Sequence, residues 1–243
     1  MIIDAHQHLG ICDTFDHNVT EEDVLNTLNA NKIDGTIIFP FPGSMDEKGD
    51  HDRIYALTQK YPKRFFGVIS LNPHIQKIDY LTEVERLVKL GFKAIKIHPY
   101  GHACNPIYKT VDKVFEAANT FNLPVIIHTG IGTPSALPSN AIPRAKQYPH
   151  LKIVLAHAGA YIYSIEALIT AKECPNIYLE PSWVPAFVIK NFVKEIGAHR
   201  VMFGSDILAS QASELCKFTS TLSGPELDQC LYGTVKEVFN LSV

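Results

Sequence analysis

Two histidines stand two positions apart near the start of the chain, His6 and His8, and three more close short apolar runs further on. His98 precedes Pro99, His128 precedes Thr129-Gly130, and His157 precedes Ala158-Gly159, while Asp206 ends the run Gly204-Ser205-Asp206. Imidazole and carboxylate donors without neighbouring thiolates suit Zn, Mn, Fe or Co. A catalytic metal centre needs about three protein ligands and an open position. His6, His8, His128 and Asp206 could hold one divalent ion, leaving His157 free for acid-base chemistry.

The His6-Gln7-His8 pair alone says little, because eleven histidines in 243 residues give about half of one such pair by chance. Position adds what the pair lacks. In a strand, residues i and i+2 point to one face, so both imidazoles share a side near the end of the first apolar run.

The elements that must position these groups are legible as a repeat. β-branched runs cover 2–8, 34–40, 65–71, 93–98, 124–128, 151–157, 176–180 and 200–206. Their starts lie about 24 to 32 residues apart, near the length of one strand-helix unit. Runs such as Pro124-Val125-Ile126-Ile127 are continuously apolar, as expected of parallel strands covered on both faces. Between them, Thr20-Glu21-Glu22-Asp23 reads as a helix cap with an acidic first turn, and Gly224-Pro225-Glu226 starts another helix with proline in its first turn. Segments 78–90, 111–121, 162–172 and 186–196 have helical amphipathic spacing, whereas 41–52 and 130–140 read as loops after strand ends.

Eight alternating units predict an α/β chain folded as a single (β/α)8 barrel, one domain over 1–243. The competing open doubly wound sheet should carry a glycine-rich phosphate loop, and neither G-x-G-x-x-G nor G-x-x-x-x-G-K-[ST] occurs. The six candidate residues then gather at the C-terminal mouth, where barrel enzymes build their sites. Reading them as core histidines bonded to backbone would require five coincidences at one end. His150 and His199 precede strands and fall on the opposite face, with structural roles. His17, His51, His74 and His102 fall in loops, where a solvated imidazole is the default, although His51 and His102 could reach the mouth.

Composition narrows the partners. Apolar residues make up 46% and charged residues 19%, and the net charge is −3. No basic footprint for nucleic acid or an anionic membrane is present. No run approaches the length of a membrane helix, and the N-terminus lacks signal-peptide character, so a cytoplasmic enzyme with a small-molecule substrate is expected. A homo-oligomer is left open. Cys12, Cys104, Cys174, Cys216 and Cys230 are scattered without a C-x-x-C pair and read as reduced, buried thiols.

Asp4-Ala5-His6-Gln7-His8, Lys96-Ile97-His98-Pro99, Ile127-His128-Thr129-Gly130, Ala156-His157-Ala158-Gly159 and Gly204-Ser205-Asp206 resemble, in order and spacing, the strand-end motifs of the amidohydrolase superfamily. The resemblance is to its branch of aminocarboxymuconate-semialdehyde decarboxylase-like enzymes, resorcylate-type decarboxylases and lactone hydrolases. It implies metal ligation by His6, His8 and His128, with Asp206 as ligand and proton-transfer group and His157 as the second acid-base or polarising residue.

The resemblance also implies one divalent metal, Zn first with Mn, Fe or Co as alternatives; a second metal would need Lys96 as a carbamylated bridge. Lys96, His98 and Tyr100 on one strand end could instead bind a substrate carboxylate. The reaction expected first is hydrolysis of an amide, ester or lactone of a small carboxylate-bearing substrate. Non-oxidative decarboxylation of a small aromatic or unsaturated acid is the alternative, and a non-catalytic metal-binding barrel the third. Trp183 reads equally as a stacking wall for a planar substrate or as a loop anchor, and Tyr100 and Tyr161 share that divided status.

Overall fold

The computed structural model describes residues 1–12, 16–44, 46–74 and 79–242. Its strands are β1 (Ile3–Cys12), β2 (His17–Val19), β3 (Gly35–Pro40), β4 (Phe65–Gly67), β5 (Ile95–Ile97), β6 (Val125–His128), β7 (Ile153–Ala156) and β8 (Ile177–Glu180). Parallel ladders join β1 to β3 to β4, and β5 through β8 in sequence.

Two seams close these ladders into a barrel. At the first, Ile69 bridges Ile95, with Ile69 N–H donating to Ala94 C=O at 2.9 Å. At the second, the segment 201–206 lies between β8 and β1. Met202 N–H donates to Leu179 C=O at 3.0 Å, Ala5 N–H to Phe203 C=O at 2.9 Å, and Asp206 N–H to His6 C=O at 2.8 Å. The expected eighth strand is therefore a stave held by single bridges. Its ladder is interrupted because Phe203 N–H turns away to Cys230 C=O and Asp206 has φ 65°.

The helices are α1 (Glu21–Ala30), α2 (Glu47–Lys60), α3 (Tyr80–Lys89), α4 (Asp112–Phe121), α5 (Ile142–Gln147), α6 (Ser164–Glu173), α7 (Ala186–Ile196), α8 (Gln211–Thr221), α9 (Gly224–Asp228) and α10 (Thr234–Val238). Thr20 caps α1 with the full reciprocal box: its hydroxyl accepts from Asp23 N–H and the Asp23 carboxylate accepts from Thr20 N–H. The stretch 41–52, read as a loop, turns helical at Glu47, because Asp46 accepts from Gly49 N–H and starts α2 early. Residue 78, the expected start of the third helix, lies outside the described residues; Asp79 caps α3.

A hairpin not visible in the sequence extends the first strand. β1 runs past the barrel to Cys12 and pairs antiparallel with β2. Within β1 the register slips between Asp4 and Gln7. Such a bulge re-aims side chains. Here it lets Ile3 and Ala5 join the inner cluster with Ile37, Phe39, Ile126 and Val154, while the His6 and His8 rings still reach Phe39. A second apolar layer, including Ile38, Ile69, Ile95, Ile127 and Leu155, packs outward against the helices. The cysteines are unpaired; four are buried as expected, but Cys216 is exposed. No helix among the described residues is long and apolar enough to cross a membrane.

Candidate metal centre and active site

At the barrel mouth a cavity of about 230 Å³ is lined by His6, His8, Lys96, His98, His128, His157 and Asp206, together with His17, Phe41, Pro42 and Ile207. Seven of the eight residues singled out in the sequence therefore meet in one place. Tyr100 does not: it is more than half exposed in the turn after His98 and does not line the cavity.

Three side-chain contacts converge on Asp206. Its Oδ1 lies 3.1 Å from His6 Nε2 and 3.3 Å from His8 Nε2, and its Oδ2 accepts the Trp183 indole N–H at 2.9 Å. The other ring nitrogens decide what those atoms present. His6 Nδ1 is 2.6 Å from Glu180 Oε2, a carboxylate that can only accept. His8 Nδ1 is 3.3 Å from Pro40 C=O, also an acceptor. Each Nδ1 thus carries the proton, and each Nε2 offers a lone pair toward Asp206 Oδ1. Two imidazole lone pairs and one carboxylate oxygen facing each other form a donor set that calls for a cation.

The electrostatics qualify this for His6: burial and Lys96 oppose a charge on it, yet the carboxylates of Asp206 and Glu180 raise its pKa overall, so a proton on Nε2 competes with a cation for Asp206. Burial would raise Asp206, but attraction to any extra proton held on the facing His157 and His6 rings, with the His6 and His8 hydrogen bonds, keeps its carboxyl well below the usual carboxylate range. Burial lowers His8 to about 4 and keeps His98, His128 and His157 neutral. Lys96, buried with its ammonium 4.9 Å from the Phe39 ring centre and 3.5 Å from His6 Nε2, is pulled down to about 8 by burial against the opposing carboxylates.

His128 lines the cavity but falls outside the two tight donor groups, which are His6, His8, Asp206 and His6, His157, Glu180. Its ring stacks on His98 at 3.9 Å. His157 Nδ1 lies 2.7 Å from Ser182 Oγ, which donates onward to Glu180 Oε2 at 3.1 Å. A serine hydroxyl that donates to the carboxylate must accept from the imidazole, so His157 also turns its Nε2 lone pair to the cavity.

Glu180 is the functional residue that sequence reasoning missed, although a carboxylate closing the seventh run was a readable signal. It accepts from His6, from Ser182 Oγ and from the backbone N–H of His157 and Ser182. Gly204 makes room for it: a Cβ there would lie 2.7 Å from the Glu180 carboxyl group. Asp4, buried below, accepts from the backbone N–H of both His6 and Ser205 and so ties β1 to the closing stave. His157, Trp183 and Asp206 all have φ near +65° to +69°. Non-glycine residues rarely adopt this conformation, at a cost of about 1 kcal/mol or more each, and it turns three strand ends sharply at the mouth.

Three of the loop histidines depart from the solvated default. His17 sits on β2 and lines the cavity. His51 and His102 are buried and accept backbone N–H groups of Ser70 and His98.

A parallel barrel with clustered imidazoles and a carboxylate at its C-terminal mouth defines a class of metal-site enzymes. The family model described as amidohydrolase matches residues 43–214, and the chain belongs to that family. Enzymes of the amidohydrolase superfamily use a divalent metal. A comparison with curated proteins returns no match.

Among solved structures, the chain resembles 5-carboxyvanillate decarboxylase LigW from Sphingomonas paucimobilis, with TM-score 0.78, 15% identity and 99% of each chain covered. It also resembles a probable 2-pyrone-4,6-dicarboxylic acid hydrolase from Acinetobacter baumannii, with TM-score 0.73, 16% identity and 99% of each chain covered. A third, 5-carboxyvanillate decarboxylase LigW2 from Novosphingobium aromaticivorans with bound manganese, has TM-score 0.77 and 17% identity, covering 99% of this chain and 97% of the other. At these identities the likeness establishes the fold.

Proposed function

We propose that this chain is a metal-dependent carboxy-lyase that removes carbon dioxide, without oxidation, from a small planar aromatic or unsaturated acid. The cavity carries this reading. At about 230 Å³ it is smaller than the roughly 300–1,000 Å³ of common ligand pockets, and the buried Lys96 ammonium and the Asp206 carboxylate sit among walls of imidazole, Phe41, Pro42 and Ile207. Such a space suits a single flat ring with an anionic substituent. The likeness to two decarboxylases of ring carboxylic acids supports the same choice.

His6, His8 and Asp206 would hold one divalent ion, with His128 and His157 on the adjoining walls; Zn and Mn both suit these donors. A divalent ion supplies Lewis acidity and charge neutralisation at such a site. Lys96 binds a carboxylate or phenolate that stays on the substrate. A lysine fixed on the departing carboxylate would hold back the charge that must leave it, whereas one on a spectator group favours ground state and transition state alike. Phe41, Pro42 and Ile207 exclude water, which favours a step in which negative charge spreads out of the carboxylate.

Asp206, ionised at rest, takes the proton of the substrate's acid or ring hydroxyl. When the bond to the carboxyl carbon breaks, carbon dioxide departs, the electron pair stays on the ring carbon, and Asp206 returns the proton there. The neutral His157, with its lone pair inward, orients the hydroxyl or carboxyl group that gives up the proton.

Hydrolysis of a lactone, ester or amide is the second reading, favoured by one observation: an ionised Asp206 is also the base that water activation requires. Assaying carbon dioxide release against ring-opening or amide cleavage, over a panel of hydroxybenzoates, lactones and amides with Zn or Mn supplied, separates the two. Carbon dioxide release from a monocyclic acid is expected. Hydrolytic turnover without it reverses the ranking.

A further inference from the structure

Helix α6 is apolar on both sides. Ala167, Leu168 and Ala171 are buried against the barrel, and Ile162, Ile165 and Ile169 stand on the opposite face at the spacing of successive turns. An apolar stripe on a helix is normally covered, but Ile165 and Ile169, with Ile162 just before the helix, are between 60% and 65% exposed. The surface continues beyond the helix: Tyr161 meets Phe187 edge to face at 6.5 Å, and Gly130 packs against Ala160, bringing the exposed Ile131 alongside.

These six side chains expose on the order of 700 Å² of apolar surface, above the roughly 300–600 Å² of the largest patch on a typical monomer. It approaches the ~800 Å² that each partner contributes to a standard interface. Several bordering charges are already engaged within the chain: Lys172 pairs with Glu195 at 2.7 Å, Lys146 with Glu173 at 2.5 Å, and Glu166 accepts from Ser139 N–H, while Lys190 stands exposed one turn beyond Phe187 at the rim. A charged or polar partner would find little to bind, whereas an identical apolar face would fit.

We propose that the α6 face joins two copies of this chain in a two-fold symmetric dimer. A two-fold interface places the same patch on both sides. With the α6 helices antiparallel about Ala167, Ile165 of one protomer packs against Ile169 of the partner subunit, and the reverse contact forms by symmetry. The area approaches what a stable dimer needs, and the Ile165–Ile169 seam itself brings only apolar side chains together. The patch lies beside the barrel mouth, since Phe187 in the first turn of α7 follows by four residues Trp183, whose indole donates to Asp206.

Sedimentation equilibrium of the whole chain tests this. The wild type is expected at twice the 27.1 kDa of one chain. Ile165→Lys and Ile169→Lys, both at exposed positions, should each raise the dimer dissociation constant about a hundredfold while leaving the far-ultraviolet circular dichroism unchanged. Ile165→Glu combined with Ile169→Lys should recover the dimer, because opposite charges then face each other across the two-fold axis. A monomeric wild type, or a dimer indifferent to Ile165→Lys, overturns the proposal. So does a wild-type monomer that co-sediments with phosphatidylcholine vesicles, which would assign the face to lipid. Failure of the paired variant to recover overturns the antiparallel register.

Discussion

His6 Nδ1 and Glu180 Oε2 lie 2.6 Å apart, both side chains about 1% exposed, joined across 174 residues of sequence. The contact fixes the proton on Nδ1 and aims the Nε2 lone pair at Asp206. The same Glu180 oxygen takes the Ser182 hydroxyl that orders His157. One carboxylate therefore sets the tautomers of two neighbouring imidazoles, whose ring centres lie 4.8 Å apart.

Glu180→Gln should weaken metal binding by about 10- to 100-fold, the usual effect of removing a carboxylate that orients a ligating histidine. The amide retains the volume, so the melting temperature should move far less than the metal dissociation constant. Competition with a chromophoric chelator measures the affinity; unchanged affinity would remove Glu180 from this role.

Changing His6 and His8 together to Ala should abolish stoichiometric metal while the barrel stays folded, because both rings face the cavity from one strand. Elemental analysis of the purified variant, alongside circular dichroism, checks this. Retention of one metal per chain would place the ion elsewhere.

His157→Asn should keep the metal and lose turnover by about two to four orders of magnitude, the worth of a positioned proton-transfer group. Parallel loss of metal would instead make His157 a ligand, through the donor group it forms with His6 and Glu180.

Lys96→Met should raise KM for an anionic substrate about 10- to 100-fold, the value of a hydrogen bond to a charged group, with a smaller change in kcat. The methionine keeps the contact with Phe39 and removes only the charge. Steady-state kinetics with a carboxylate and its neutral ester distinguish the two terms; an equal rise for both would rule out charge recognition.

Glu47 gives a pH dependence of stability. Burial raises its pKa to about 7, with Asp50 adding to the effect and the Asn72 N–H opposing it, against 4.5 for a free carboxyl. The folded state therefore holds this proton more tightly than the unfolded chain does. Its contribution is fully present below pH 4.5 and lost as pH rises through about 7. Urea midpoints should fall across that window in the wild type and fall less in Glu47→Gln. Parallel curves for the two proteins would contradict the assignment.

The sequence by itself determined the barrel and the cast of its mouth. Apolar runs recurring at the length of one strand-helix unit specify parallel strands, and period two within a strand puts His6 and His8 on one side; both are local properties. The Thr20 cap and the boundaries of α7 are legible for the same reason, since backbone hydrogen bonding within a few residues decides them. What the tertiary structure alone decided are distances between strands, which depend on how the staves close. That closure joined Glu180 to His6, turned Trp183 onto Asp206, and set His128 against His98 instead of within the tight donor groups. The bulge in β1, the hairpin with β2 that brings His17 to the cavity, and the burial of His51 and His102 arise from pairings between segments far apart in the chain. A periodicity read along one segment carries no information about the partner it meets.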